Sequence, residues 1–467
     1  MGITNFNSFI KKTYKTSIKK VQKRNYYHHI YFDVNHILHN IICKSNDEID
    51  FKTKLFDYLD FFFLIFYPLK SVTFAIDGPS PYAKINLQRK RRSLHKNDED
   101  FTKLNSIYLT PGTDFMLNIT KLFDEYIETR NKNCKYRKIN YTIFDTKTPD
   151  EGELKLLKTL HENGKNEDHN HLVVGNDADL IIICIANATI KNIEVCIKSS
   201  FNKYDIISID KLLTEHTVTM NDYKKIDNKL CYDFVFLSIL MGNDYLPKLY
   251  YTKFEKLWES YFNTYNKLNK NLIKSNFKIN KTFIIEFITN VINLLPKQFK
   301  KHNLDKYNEQ FTKNYLEGLL WCTNMYATGV CPAYDYICTI PICPQDILHF
   351  FNTSELKIKV PTSDIKPIEY DIYPLLVMPK KAKNLIPKKY HKLMDFELNY
   401  LYKEEECEKC NKLKNKLSKL NKKFYHDKQN TELKNKIHKL NDKLNKRKSK
   451  YNFVFDIDSI LNNIKTL

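Results

Sequence analysis

Seven carboxylates in this chain stand where a fold could gather them. Asp33, Asp77, Asp177 and Asp179 close short apolar runs, and Asp244 follows the apolar FVFLSILMGN in a Gly-Asn turn. Glu151 and Glu153 lie in PDEGELK, at the first turn of an amphipathic segment. Taken singly, each has an ordinary role as an N-cap, a turn former or an acid favoured by the helix dipole. Brought to one sheet edge they would repel, and ionised carboxylates sharing a cleft must take up protons or hold cations. Hard oxygen ligands select Mg²⁺ or Mn²⁺ over zinc. Two such ions, roughly 3.5–4 Å apart, are the usual apparatus for phosphodiester cleavage.

A second set of residues follows one of these acids directly. After Asp77, in FAIDGPSPYAKINLQRKRR (74–92), come Lys84, Gln88, Arg91 and Arg92, spaced i, i+4, i+7 and i+8. At about 100° per residue they share one helical face. Such a face is commonly just solvated charge, and RKRR also reads as a nuclear-localisation signal. The neutral Gln in register and the adjacent acid favour a pocket for a terminal phosphate, whose second charge rewards guanidinium and ammonium partners. Arg89 and Lys90 fall off the face and read as general polyanion attraction or solvated charge.

The elements that must position these groups follow from periodicity. HIYFDVN (29–35), VTFAID (72–77), NYTIFD (140–145) and HLVVGND (171–177) are short apolar runs ending in polar or acidic residues. Helix-period segments at 51–67, 80–95, 113–130 and 150–162 lie between them. This alternation predicts an α/β fold with an open, mostly parallel central sheet flanked by helices. Ligands of such sheets bind beyond the carboxyl ends of the strands, where the acids fall. From 251 to 395 the pattern is mainly helical, interrupted by the Pro/Cys-rich GVCPAYDYICTIPICPQD (329–346). Beyond 395 the chain turns to Lys, Asn, Glu and Leu. Leu413, Leu417, Leu420 and Phe424 have heptad spacing, as do Leu433, Ile437, Leu440 and Leu444. Two helical arms in an antiparallel hairpin fit this best, with a coiled-coil dimer second. The organisation expected is thus 1–250, 251–395 and a basic tail at 396–467.

Composition narrows the class. The 467 residues suit two to four domains, and no run of eighteen apolar residues is present to span a membrane. No secretory signal is read at the start, and Phe6 stands where a myristoylation motif wants Ser or Thr. Eleven cysteines without a regular framework suit a reducing compartment, and CxxC at Cys407 and Cys410 is a lone pair. Lys and Arg number 75 against 54 acids, a net charge of +21, which favours a polyanionic partner. Part of that excess reflects AT-rich coding, visible in the abundance of Lys, Asn, Ile and Tyr.

On these motifs the chain resembles the 5′→3′ exoribonuclease (XRN) family, within the flap-endonuclease and PIN-like nuclease superfamily. MGITNFNSFI, DVNHILH (33–39), AIDGPSPYAKINLQRKRR, LTPGTDFM (109–116), TPDEGELK (148–155), GNDADLI (175–181) and FVFLSILMGNDYLP (234–247) follow in the family's order. The likeness runs more weakly through YLEGLLW (315–321), the 329–346 stretch and YPLLVMPKKAKNLIPKKYHKLM (373–394), so it spans roughly residues 1 to 395. All seven acids of the family's metal site are present: Asp33, Asp77, Glu151, Glu153, Asp177, Asp179 and Asp244. The family's Pro-Gly-Glu-Gly-Glu-His-Lys reads PDEGELK here, with Asp150 and Leu154 as departures.

The resemblance implies a Mg²⁺- or Mn²⁺-dependent enzyme with two ions, degrading single-stranded RNA that carries a 5′-monophosphate. It assigns Lys84, Gln88, Arg91 and Arg92 to the 5′-phosphate pocket and His39 to stacking on a base. The stacking partner, a Trp in the family's Ser-Trp-x-Trp segment, falls in AYDY, where Tyr334 is the first choice and Tyr336 the second. The expected setting is mRNA decay in the cytoplasm, or the nucleus as a second option, with no membrane partner. The small β-rich domains of longer family members are not matched, so the chain reads as a compact member of viral or AT-rich protist type. Its 400–450 helical tail is a candidate for self-association or for a protein partner. A flap-type DNA nuclease and a non-catalytic RNA-binding scaffold are the rival readings of the same acids.

Overall fold

A computed structural model describes Ile3 and residues 6–94, 104–200, 203–219, 227–301, 307–402, 408–426, 430–448 and 456–465. The chain divides into two compact units, one of Met1–Leu87 with Lys103–Tyr373, the other of Gln88–Thr102 with Pro374–Leu467. The helix Tyr82–Leu94 runs unbroken across the first boundary.

The first unit is built on a seven-stranded sheet. Its strands are β1 (Ile18–Lys20), β2 (Asn25–Asp33), β3 (Phe66–Ala75), β4 (Asn140–Phe144), β5 (His171–Val174), β6 (Ile193–Ser200) and β7 (Lys203–Ser208), in the spatial order β1-β7-β6-β5-β2-β3-β4. The four strands expected from apolar runs are β2 to β5, and they pair in parallel with one another. β6 extends the parallel set, whereas β7 and β1 add an antiparallel edge that the apolar runs did not signal. Side chains alternate across the sheet as the pleat requires. Tyr31, Ala75 and Val173 enter one core, while Ile30, Phe32, Phe74, Leu172 and Val174 enter the other. Both faces are therefore buried, as a parallel sheet demands.

Helices Asn35–Ile42, Glu48–Ile65 and Asp114–Asn131 cover the second of these cores. On the other face lie Gly152–Asn163, Ala178–Ala186 and Asn228–Ile239. That core runs on without a break into helices Phe254–Leu268, Lys281–Asn293 and Glu309–Thr328, through Trp258, Phe287 and Trp321. No described helix is long and apolar enough to cross a membrane.

In the second unit, helices Glu408–His426 and Thr431–Lys448 pack on each other across a four-residue connection. So short a link makes them antiparallel neighbours. The two heptad rows form the seam: Leu413, Leu417, Leu420 and Phe424 are half-buried, as are Leu433, Ile437 and Leu440, with Leu444 fully buried. The expected hairpin is present. Cys407, of the lone CxxC, lies outside the described residues.

Candidate active site

Strand register brings the first acids together. Asp33 ends β2 and pairs with Ala75 of β3, while Phe32 pairs with Val174 of β5. Asp77 lies two residues past Ala75 and Asp177 three past Val174, so all three leave the sheet at its carboxyl edge. Asp177 then caps the helix Ala178–Ala186, its Oδ1 accepting from the Ala178 N–H at 3.2 Å. Asp179 follows in the first turn of that helix, buried.

The two glutamates are fastened to this edge by a clasp of turns. Gly78 N–H donates to Asp150 C=O at 2.9 Å, and Asp150 N–H to Pro79 C=O at 3.0 Å. A side chain on Gly78 would stand 1.9 Å from the Thr148 carbonyl, so only glycine permits the approach. Lys155 closes the clasp from below, donating to the carbonyls of Ile76 at 2.7 Å and Asp145 at 2.9 Å. Gly152 N–H donates to Asp77 Oδ1 at 2.7 Å, at the N-terminus of the helix Gly152–Asn163. A Cβ on Gly152 would meet both Ala75 O and Asp33 Oδ1 at 2.9 Å. The glycine lets the helix start touch the strand end, and Glu151 and Glu153 flank it.

At Asp150 the backbone has φ of +79°, in the left-handed region where the resembling family has glycine. Asp tolerates that region better than most residues. Its carboxylate is held by the Tyr334 hydroxyl at 2.8 Å. The other departure, Leu154, is buried in the core beneath the helix.

Asp33, Asp77 and Glu153 each offer an oxygen within 4.8 Å of the others, a set of hard donors that fits a divalent cation. Burial, then repulsion from Asp77, holds the Asp33 carboxyl well above the usual range. Glu153 is pushed up by burial and by Glu151 and Asp33, and Asp179 by burial and by Asp177 and Asp244. Asp179 Oδ1 is buried with no hydrogen-bond partner among the described residues. The seven acids thus act on one another electrostatically, and three of them form the close oxygen group.

The ammonium of Lys84 reaches into this set of acids. Lys84 Nζ contacts Glu151 Oε1 and lies 3.1 Å from Asp244 Oδ2. Burial opposes its charge, yet Glu151, Asp244, Glu153 and Asp77 together hold the ammonium well above its ordinary value. Tyr245, which sequence reasoning passed over, donates its hydroxyl to Glu151 Oε2. Its signal was its place next to Asp244 in GNDYLP. Lys155, two residues after Glu153, was likewise legible only as a helix lysine.

The remaining predicted residues separate. In the second unit, Arg92 Nη1 contacts Gln88 Oε1, a pairing that the i, i+4 spacing anticipates. Arg89, expected as solvated charge or general attraction, is instead structural: it donates to the carbonyls of Leu376 (2.9 Å) and Leu401, and its guanidinium lies 5.2 Å from the Tyr402 ring. His39 is exposed on Asn35–Ile42. Tyr334 is half-buried beside the start of the basic helix, its carbonyl accepting from Tyr82 N–H at 2.8 Å. Tyr336 stacks on Trp321 at 5.4 Å and donates to Asn314 C=O, so it is built into Glu309–Thr328.

A doubly covered, mostly parallel sheet thus carries a cluster of hard carboxylate donors at its carboxyl edge. Residues 1–197 match the family model described as the XRN 5′-3′ exonuclease N-terminus. The chain is 25% identical over 296 residues to 5′-3′ exoribonuclease 1 of Saccharomyces cerevisiae, covering 53% of this chain and 19% of that protein. With the Homo sapiens 5′-3′ exoribonuclease 1 the figures are 24% over 297 residues, 53% and 17%. The match thus spans about a fifth of the length of these curated relatives. Among solved structures, the catalytic core of Rad2 in complex with DNA substrate aligns at 15% identity and a TM-score of 0.37, covering 76% of this chain and 95% of that one.

Proposed function

We propose that this chain is a Mg²⁺- or Mn²⁺-dependent 5′→3′ exoribonuclease. It would degrade decapped RNA bearing a 5′-monophosphate to nucleoside 5′-monophosphates, in cytoplasmic mRNA decay. The observation that carries this reading is the Asp33–Asp77–Glu153 oxygen group, with four more acids in the same electrostatic cluster, in a chain whose residues 1–197 match the XRN N-terminal family model.

In this reading Asp33, Asp77 and Glu153 hold one divalent ion, and Asp177, Asp179 and Asp244 complete a second site. Bound ions supply positive charge at the scissile phosphodiester and lower the pKa of water there. Glu151 is kept in place by Lys84 on one oxygen and Tyr245 on the other. Gln88, Arg91 and Arg92, with Lys84, take the terminal phosphate, while His39 and Tyr334 stack on the leading bases. A water oxygen bonds to phosphorus, the P–O3′ bond breaks, and the 3′ oxygen takes a proton. The phosphate stays on the 5′ side of the next nucleotide, so every cut regenerates a substrate end.

The test uses RNAs with 5′-monophosphate, 5′-hydroxyl and 5′-triphosphate ends, and a flap DNA, with and without Mg²⁺. Asp177→Ala should abolish turnover at every end, and Arg91→Ala should mainly erase the preference for monophosphate. Equal decay of all three ends would sink the phosphate pocket. Cleavage of the flap DNA alone would favour the flap-type reading, and no decay at all the scaffold.

A further inference from the structure

The hairpin of Glu408–His426 and Thr431–Lys448 holds fourteen Lys and Arg against three acids, more than half of the chain's +21. These cations are not spread evenly. The position just before a seam residue is a lysine at every place but Leu433, which follows Glu432: Lys412, Lys416, Lys419 and Lys423 precede Leu413, Leu417, Leu420 and Phe424, and Lys436, Lys439 and Lys443 precede Ile437, Leu440 and Leu444. Lys412, Lys416, Lys419, Lys436, Lys439 and Lys443 are exposed. The position just after the seam carries only Lys414 and Lys434 among Ser, Asn, Tyr and His residues.

Antiparallel pairing puts the two rows on the same side. A residue one before the seam is turned about 100° from it, in the sense set by chain direction. Reversing the second helix and turning its seam to face the first reverses that sense twice. The two rows therefore flank the same edge of the seam. Glu432 enters this face and pairs with Lys436 at 2.6 Å. Like charges set side by side are costly, and a solvated surface would mix signs instead. The seam's apolar residues half-bury one another within the hairpin, and the lysine face beside them is the exposed feature offered to a partner.

We propose that this lysine face is a second RNA contact, a sequence-independent track for backbone phosphates that is separate from the 5′-phosphate pocket. It rests on the reading of RNA as substrate given above. A nucleic-acid strand supplies a regular row of charges along a path, which a pair of parallel lysine rows matches; an acidic protein surface has no such regularity.

The test measures binding, not turnover. A fluorescent 30-nucleotide RNA with a 5′-hydroxyl end is titrated with the full chain in EDTA, across a series of KCl concentrations. In the sextuple variant (Lys412→Gln, Lys416→Gln, Lys419→Gln, Lys436→Gln, Lys439→Gln and Lys443→Gln) the log–log salt slope should shrink by about 3–4, at about 0.7 per phosphate lost for a single strand. The matching sextuple Lys→Arg variant should restore both slope and affinity. Circular dichroism checks that the Gln variant keeps its helices, and a triple variant of the first helix alone, with about half the change, serves if it does not. An unchanged slope in a helical Gln variant would overturn the proposal, as would loss of poly-glutamate binding with RNA binding intact. Neither measurement needs a metal or a cut. Lysine-dependent binding by a chain that degrades no RNA would therefore sink the exonuclease reading alone.

Discussion

Lys84 lies 3.1 Å from Asp244 and touches Glu151 as well, so the first cation of the basic helix is embedded in the acid cluster. Both partners are nearly buried, with 10% of the Lys84 side chain and 8% of that of Asp244 exposed. The ammonium offsets charge of Glu151 and Asp244 directly, with Glu153 and Asp77 adding to its hold. Removing one partner of such a buried pair typically costs about 3–5 kcal/mol. Lys84→Met should therefore lower stability by that order in EDTA, and Mg²⁺ should recover more of it than it adds to the wild type. Thermal melts with and without Mg²⁺ check this. An equal Mg²⁺ shift in the two proteins would place the lysine outside the charge balance of the site.

Asp179 makes the opposite case. Its Oδ1 is buried without a hydrogen-bond partner, and burial with repulsion from Asp177 and Asp244 holds the group well above the ordinary carboxylate range. Asp179→Asn removes the repulsion and also a hard ligand. The metal-free variant should melt no lower than the wild type, while its affinity for Mg²⁺ or Mn²⁺ falls at least about 10-fold. Calorimetric titration with Mn²⁺ decides. A metal-free variant that melts much lower would show the carboxylate to be structural.

Tyr334 and Tyr336 should part company. Tyr336 is stacked on Trp321 and its hydroxyl is engaged, so Tyr336→Ala should cost stability on the order of 2–4 kcal/mol with little change in RNA affinity for the folded fraction. Tyr334→Ala should weaken RNA binding by about 1–3 kcal/mol, the range for one stacked base. Tyr334→Phe keeps the ring but frees Asp150, whose left-handed turn then loses its anchor. Denaturant melts beside RNA titrations separate the three variants.

A pH effect comes from histidines far from the acids. Burial first, then neighbouring charge, lowers His29 to about 3 and His171 to about 4; burial alone lowers His216 to about 3. His29 meets His169 at 2.9 Å, and His216 meets the Tyr14 hydroxyl at 2.9 Å. These folded values lie below the unfolded one near 6.5, so the unfolded chain binds protons first as pH falls. The stability these groups contribute is complete above 6.5 and is lost on the way down to 3–4. Each histidine that stays neutral adds a slope of about 1.4 kcal/mol per pH unit in that window. The raised Asp33, Glu153 and Asp179 act in the other sense, favouring the metal-free fold at low pH and losing that gain as pH rises. Urea unfolding from pH 7 to 4, in wild type and His216→Gln, should show a shallower fall in the variant.

The sequence by itself determined the sheet's working edge. Four apolar runs ending in acids became β2 to β5, because strand period and turn residues are local properties. Their parallel pairing then carried Asp33, Asp77 and Asp177 to one side without further choice. The heptads at 413–424 and 433–444 likewise announced the hairpin. Only the tertiary structure decided which cation serves which purpose. Lys84 and Arg89 stand five residues apart on one helix, and spacing marked the first for a phosphate and the second for general polyanion attraction or solvent. Packing set Lys84 against Glu151 and Asp244, and Arg89 against the carbonyls of Leu376 and Leu401. Tyr334 and Tyr336 were equally ambiguous until one met Asp150 and the other Trp321. These partners are remote in the chain. A buried charge or hydroxyl goes where an opposite group can satisfy it, and that is settled by how the elements pack.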